Sequence, residues 1–362
     1  MTPTPLSVST PGSTPEGVAP IRLGTRASAL ATTQSGLVAK RLEELTGRPV
    51  ELVHIRTEGD VKTGSLASLG GTGVFVTALR EALLDGRCDV AVHSLKDLPT
   101  TPAPHLTFVT PERADPRDAL CARDGLTLAT LPRGGRVGTG SPRRAAQIRA
   151  ARPDLVVVDI RGNVGTRLNR ALGPDADLDA VVLAYAGLAR LGRTDVISEA
   201  LDVEVVAPAP GQGALAVEVR TADIAPEPSA GSGQDTAPHV PDPSTGSGHS
   251  LAEAIHLLDH RPTRLAVLAE RSVLARLEAG CAAPVGAHAT VSGDVLRLRS
   301  VVAAVDGSEQ MSHSGEVQLS PDAAPEVIDS AARGLGTSVA ERLLADGAER
   351  LAPLSASVPE KA

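Results

Sequence analysis

In Val90-Ala91-Val92-His93-Ser94-Leu95-Lys96-Asp97-Leu98-Pro99, an imidazole, an ammonium and a carboxylate fall within five positions. Together such groups can move protons and hold an anion. The stretch opens apolar, as a buried parallel strand does, and turns polar before Pro99 and Pro102 forbid a continuing central strand. In open α/β sheets, ligands bind beyond the carboxyl ends of strands, where this loop must lie. Taken alone, it reads more simply as a solvated loop with a Lys–Asp pair.

Other residues change that balance. In Val137-Gly138-Thr139-Gly140-Ser141-Pro142-Arg143-Arg144, Ser141 as N-cap and Pro142 at the first helical position predict a helix start. Arg143 and Arg144 then fall in the first turn, where the helix dipole disfavours cations. Two arginines there predict an anion at this helix end, with plain surface arginines as the alternative. The pattern recurs. Leu155 to Ile160 reads as a strand, Arg161-Gly162-Asn163-Val164-Gly165-Thr166-Arg167 heads the next helix, and Gly173-Pro174 stops it. After a further strand at Ala180 to Ala184 come Arg190 and Arg193. Three strand-to-helix junctions carrying arginines predict a cleft for an acidic ligand, since arginine binds carboxylates through two N–H groups at once.

The third kind of reactive residue is the thiol. Cys88 borders a strand and Cys121 ends one, so both are expected to be buried and inert. Cys281 stands apart in Gly280-Cys281-Ala282-Ala283-Pro284, a loop at a helix end where a thiol is geometrically free. No local signature supplies a histidine base for it. Three cysteines without metal-ligand spacing or a disulfide framework fit a reduced, cytoplasmic protein.

The scaffold for these groups reads as α/β. Ile21 to Gly24 is a strand, and Ser28 caps a helix with Leu30, Leu37, Val38, Leu42 and Leu45 near one face before Gly47 closes it. Val50 to Ile55 is a second strand. The glycine-rich Leu69-Gly70-Gly71-Thr72-Gly73 opens a helix through Leu84, a weak sign of anion binding. Leu106 to Val109, Ala119 to Cys121 and Val203 to Val206 read as short strands, and Pro208 to Val217 returns to strand composition. Residues 222–249 are rich in Pro, Gly, Ser and Asp. They predict a flexible insertion, and residues 1–20 a disordered leader without signal-peptide features. Beyond lie a helical stretch from Leu251 to Leu277 broken at Pro262, an antiparallel pair turning at Ser292-Gly293-Asp294, and a helix from Pro325 to Leu344.

Composition narrows the function. Among 362 residues only 1% are aromatic, and the formal net charge is -8. Base-stacking platforms and basic nucleic-acid surfaces are thereby disfavoured. No apolar run reaches membrane-spanning length.

Gly24-Thr25-Arg26-Ala27-Ser28-Ala29-Leu30, Arg56-Thr57-Glu58-Gly59-Asp60, His93 to Pro99, Gly138 to Arg144, Arg161 to Arg167 and Gly280-Cys281, in this order, strongly resemble the porphobilinogen deaminase family, also called hydroxymethylbilane synthases. The resemblance runs from about Ile21 into the C-terminal part. It implies a transferase of tetrapyrrole biosynthesis that joins four porphobilinogen molecules with loss of ammonia and releases linear hydroxymethylbilane. It further implies a dipyrromethane cofactor attached through a cysteine thioether, with Cys281 at the matching position. Arg26, Arg143, Arg144, Arg161, Arg167 and Arg190 match arginines that bind the acetate and propionate groups of cofactor and substrate. Ser28, Lys96 and Thr139 stand beside them. Asp97 matches the catalytic carboxylate, which stabilises positive charge on the pyrrole N–H as the amine leaves and the azafulvene forms.

The implied fold has two doubly wound domains like type II periplasmic binding proteins, with the cleft between them, plus a small α+β C-terminal domain with an antiparallel sheet. On this chain the expected boundaries are 21–112 with 208–220 for domain 1, 113–207 for domain 2, and 250–355 for the cofactor-carrying domain 3. A monomer acting on porphobilinogen, with no nucleic acid or membrane partner, is the expectation. Thr72 departs from the pattern, since the Gly-Gly-x-Gly loop often carries a basic residue there. A two-lobed module that only binds an acidic small molecule would use the same arginines but would need neither Asp97 nor Cys281, and their joint presence favours the enzyme.

Overall fold

A computed structural model describes residues 19–55, 73–224, 248–280 and 283–354. The chain opens with β1 (Ile21–Thr25), α1 (Ala29–Thr46), β2 (Val50–His54), α2 (Gly73–Leu84), β3 (Val90–Ser94) and β4 (Leu106–Val109). There follow β5 (Asp118–Ala122), β6 (Arg136–Gly138), α3 (Pro142–Ala151), β7 (Val156–Val158), α4 (Val164–Leu172), β8 (Ala180–Ala184), α5 (Tyr185–Arg190) and β9 (Glu199–Ala200). Next come β10 (Leu215–Arg220), α6 (Thr221–Ile224), α7 (Leu251–Leu258) and α8 (Arg261–Arg276). The last part holds β11 (Val285–Ser292), β12 (Val295–Ala303), β13 (Gln310–Gln318) and α9 (Pro325–Ala345).

Three sheets result. The first has order β2-β1-β3-β10-β4 and the second β7-β6-β8-β5-β9, each mixing parallel neighbours with antiparallel ones. Helices cover both faces of each, the doubly wound arrangement. The third sheet, β11-β12-β13, is wholly antiparallel and buries one face under α8 and α9.

Local chemistry explains the element ends that matter. The Ser28 hydroxyl accepts the Ala31 N–H at 3.3 Å, and Gly47 closes α1 in the left-handed region at φ 65°. The inward face of α1 differs from the expected one, because Leu37 is 54% exposed whereas Gln34 and Ser35 are buried. Their partners explain this. Ser35 donates to Thr25 Oγ1 at 2.8 Å, and Gln34 bonds Ser94 at 3.1 Å, so α1 grips the carboxyl ends of β1 and β3 with polar contacts. Val203 to Val206 forms a turn and not a strand, with β9 ending at Ala200 and the Val206 N–H donating to Asp202 O.

The expectation that residues from 250 onward form one domain needs correction. Helix α7 buries Ala254, Ile255 and Leu258 in the core of the first sheet, beside Val38, Leu42 and Val109. The third unit therefore begins with α8, after a break at Asp259-His260. Most of 222–249 lies outside the described residues, as does all of 1–18. At its margins, α6 extends the helix-forming chain to Ile224, and the His249 N–H donates to Leu45 O at 3.0 Å.

The chain passes between the first two units twice, after β4 and before β10, and Ala114 N–H to Gly213 O (3.2 Å) ties the passages together. The third unit docks on them. The buried carboxylate of Glu270 on α8 accepts both Nη of Arg113 (2.7 and 3.0 Å), the Gly211 N–H (2.7 Å) and the Ala289 N–H (2.8 Å).

Candidate active site

Strand β3 is buried along Val90–His93 because its residues face helices on both sides of the sheet. Beyond Ser94 the chain makes one 3-10 turn, Leu95–Asp97, closed by Leu98 N–H to Leu95 O at 3.1 Å. Leu95 and Leu98 are buried, which leaves Lys96 and Asp97 half-buried at the sheet's carboxyl edge. His93 does not join them. It is buried with Nε2 3.1 Å from Glu218, which also pairs with Arg80 at 2.9 Å. The sequence grouped three titratable groups in one loop, but His93 is still within the strand and its side chain serves the interior.

Lys96 reaches the passage before β10. Its Nζ donates to Gln212 Oε1 at 3.3 Å, and Arg144 Nη2 donates to the same oxygen at 3.3 Å. The other end of Gln212 donates to Asp118 Oδ1 at 2.7 Å and Pro116 O at 2.7 Å. Gly211 (φ 76°) and Gly213 (φ 87°) flank this residue, and a Cβ on Gly213 would stand 2.4 Å from Ala114 O. Only glycine lets the two passages approach so closely there.

Arg143 and Arg144 are nearly fully buried. Ser141 caps α3 as expected, accepting the Arg144 N–H. The anion expected at this helix end is the chain's own Asp118: Arg143 Nη2 lies 2.8 Å from Oδ2, while Arg144 Nε and Nη2 donate to Oδ1 at 2.9 and 2.8 Å. Arg143 also donates to Ala207 O, and Arg144 to Val182 O. The alternative of plain surface arginines is therefore set aside, since both guanidinium groups are buried on a carboxylate of the chain itself. Burial alone would raise the Asp118 pKa; Arg143 and then Arg144 reverse this and hold the carboxyl well below the usual range.

The remaining cations differ. Arg190 donates to Gly213 O at 2.6 Å, and burial pushes its pKa down to about 10. Arg167 is half-buried, with a buried Nε that has no hydrogen-bond partner among the described residues. Its pKa is lowered by burial and then by the neighbouring Arg144 and Arg161. Arg161 is exposed and lies 3.2 Å from Asp159. Thr139 is buried, and its Oγ1 accepts the Ser141 N–H at 3.2 Å. Ser28 is exposed at the α1 N-cap, and Arg26 is half-buried on the β1–α1 connection. Cys281 lies outside the described residues, as do Arg56 to Asp60 and Thr72. Cys88 and Cys121 are buried free thiols as expected, and burial pushes Cys121 up to about 12.

At the seam Lys96, Arg143, Arg144, Arg167 and Arg190 outnumber Asp97 and Asp118, an imbalance suited to a ligand with several carboxylates. A groove of about 400 Å³ lies elsewhere, on the third sheet, where Arg297 pairs with Glu316 and Arg299 with Glu204. Its charges are already matched, so it is the poorer candidate. Sequence reading missed Gln212 and Asp118. Their signals were a glutamine between two glycines and a single acid heading an apolar strand.

Burial lowers the Lys96 pKa to about 8, with Arg144 adding to the shift and Asp97 and Asp118 opposing it. The ammonium is thus lost as pH rises through about 8 in the free protein, so kcat/KM should fall on that limb, and Lys96→Met should flatten it. Stability moves the other way. Between about 8 and the ordinary value of 10.5, the unfolded chain holds a proton that the folded chain has released, so Lys96's contribution rises with pH. An unchanged alkaline limb in Lys96→Met would remove Lys96 from ligand binding.

Residues 21–226 match the family model described as "Porphobilinogen deaminase, dipyromethane cofactor binding domain", and residues 264–345 match "Porphobilinogen deaminase, C-terminal domain". The porphobilinogen deaminase of Micrococcus luteus is 53% identical, over 92% of this chain and 95% of that protein. That of Cutibacterium acnes is 53% identical over 93% and 98%. Among solved structures, a periplasmic binding protein of Salmonella typhimurium with high arginine specificity is 14% identical with a TM-score of 0.31, covering 56% of this chain and 86% of its own. Matched over nearly its whole described length, the chain belongs to the porphobilinogen deaminase family, transferases of tetrapyrrole biosynthesis that polymerise porphobilinogen.

Proposed function

We propose that the seam beside the Leu95–Asp97 turn is the catalytic cleft, with Asp97 as the catalytic carboxylate. Porphobilinogen units lie there, and their acetate and propionate groups are taken by Lys96, Arg26, Arg161, Arg167 and Arg190. Arg143 and Arg144 back this array through Asp118, while Ser28 and Thr139 shape its rim. The observation that carries the reading is one half-buried carboxylate on a short turn amid an excess of cations. As ammonia leaves the aminomethyl group of the substrate, positive charge develops on the pyrrole nitrogen. The Asp97 carboxylate accepts that N–H and stabilises the cation.

The residues present suit the dipyrromethane cofactor, whose side-chain carboxylates match the buried Nε of Arg167, unpartnered among the described residues, and the backbone-bound Arg190. When bound, it supplies the pyrrole terminus to which substrate is added. We assign its thioether to Cys281, because Cys88 and Cys121 are buried with raised pKa values. Free thiols at these two positions support a reduced, cytoplasmic setting. No helix among the described residues is long and apolar enough to cross a membrane.

Intact mass of the purified protein should exceed the polypeptide mass by one dipyrromethane, and peptide mapping should place it on Cys281. Cys281→Ser should show the bare mass and no turnover. An unmodified protein that makes hydroxymethylbilane would overturn the assignment.

A further inference from the structure

Helix α8 reaches the first two units along one stripe, Thr263, Val267, Glu270 and Arg271, spaced as one helical face. Thr263 Oγ1 accepts the Arg113 N–H at 3.0 Å, and Val267 is buried with Leu95 and Leu98 in the small core under the 3-10 turn. Glu270 holds the passages between units, as described above. Arg271 holds something else. Its guanidinium donates to Leu98 O at 3.0 Å, Pro99 O at 2.5 Å and Leu95 O at 3.4 Å, with its carbon 5.8 Å from the Phe108 ring centroid. These carbonyls bracket Lys96 and Asp97.

A three-residue 3-10 turn has little strength of its own; here one backbone bond, Leu98 N–H to Leu95 O, closes it. Pro99 adds no N–H. The turn's outward carbonyls need donors, and a planar guanidinium can serve three of them in a fixed geometry that an ammonium cannot copy. We propose that Arg271 is a positioning residue, fixing the Leu95–Pro99 turn and through it the Asp97 carboxylate. The inference rests on the reading of Asp97 given above.

The test uses the full chain with cofactor loading established by intact mass. Arg271→Met keeps an unbranched stem over Phe108 and removes the donors. Hydrogen exchange at the Leu98 amide should accelerate about tenfold or more, as expected when a local opening becomes easier. Turnover should fall roughly 10- to 100-fold, the scale of a small misplacement, with KM changed less than about twofold. In an Asp97→Asn background the same substitution should cost less than about twofold, because a residue acting through Asp97 has nothing left to position. Arg271→Lys should recover part of both losses, and it is read in the same way if the Met variant does not fold. Unchanged exchange, unchanged turnover, or a full cost in the Asp97→Asn background would each overturn the proposal. If Asp97→Asn alone turns over normally, the reading of Asp97 falls, and Leu98 exchange still decides whether Arg271 holds the turn.

Discussion

In protein confirmed as loaded, Asp97→Asn is expected to lower turnover by roughly 10²- to 10³-fold, the cost of losing one aimed electrostatic group, with KM within about a factor of two. An anion at this place opposes the substrate's own carboxylates, so it weakens binding if it does anything there. On the proposed reading its charge acts where positive charge develops, on the pyrrole nitrogen as ammonia departs. Asparagine keeps the size and one acceptor, and because Asp97 also supports the Lys96 ammonium, the comparison is made well below pH 8, where Lys96 stays charged and the effect read is that of the lost carboxylate. Turnover is measured as initial rate of bilane formation on mass-verified samples. A rate near wild type would make Asp97 an ordinary loop residue.

The second large effect is on stability. Arg144→Leu should destabilise the protein by about 3–5 kcal/mol, because it strips two of the hydrogen bonds from a carboxylate that is wholly buried. That corresponds to a fall in Tm on the order of 10 °C for a protein of this size class. Asp118→Asn should do comparable harm from the other side, leaving Arg143 and Arg144 buried without their counter-charge. The pair's contribution is present at neutral pH and is lost as pH falls below the ordinary aspartate range, since the Asp118 pKa is depressed by folding. Thermal unfolding of Arg144→Leu within about 2 °C of wild type would return Arg144 to the role of a free substrate ligand.

Cations in the first turn of α3 correctly announced an anion, but the dipole argument is silent on whether it comes from a ligand or from the chain. Asp118 lies 26 positions earlier and meets α3 only because β5 and β8 pair in the second sheet. The strands flanked by Gly and Pro, the caps of α1 and α3 and the antiparallel third sheet were readable, because each is decided by neighbours a few residues away. Helix α7 was readable as a helix but not as a part of the first core, since an amphipathic face carries no address. His93 was misplaced by a single residue of strand, and Gln212 acquires its meaning only when the two passages between units come together.

Those two passages act as a pair of straps pinned side by side by Ala114 and Gly213. A body held on two adjacent pins swings easily about the line through them and resists sliding or shear, because either motion stretches one strap against the other. On the proposed reading of the seam, a product that lengthens ring by ring gains its space from swing about this line. Points close to the pins travel least, and Gln212 is next to one of them. In the proposed cleft, the contact between Lys96 and Asp118 through Gln212 is thus the part that such a swing disturbs least.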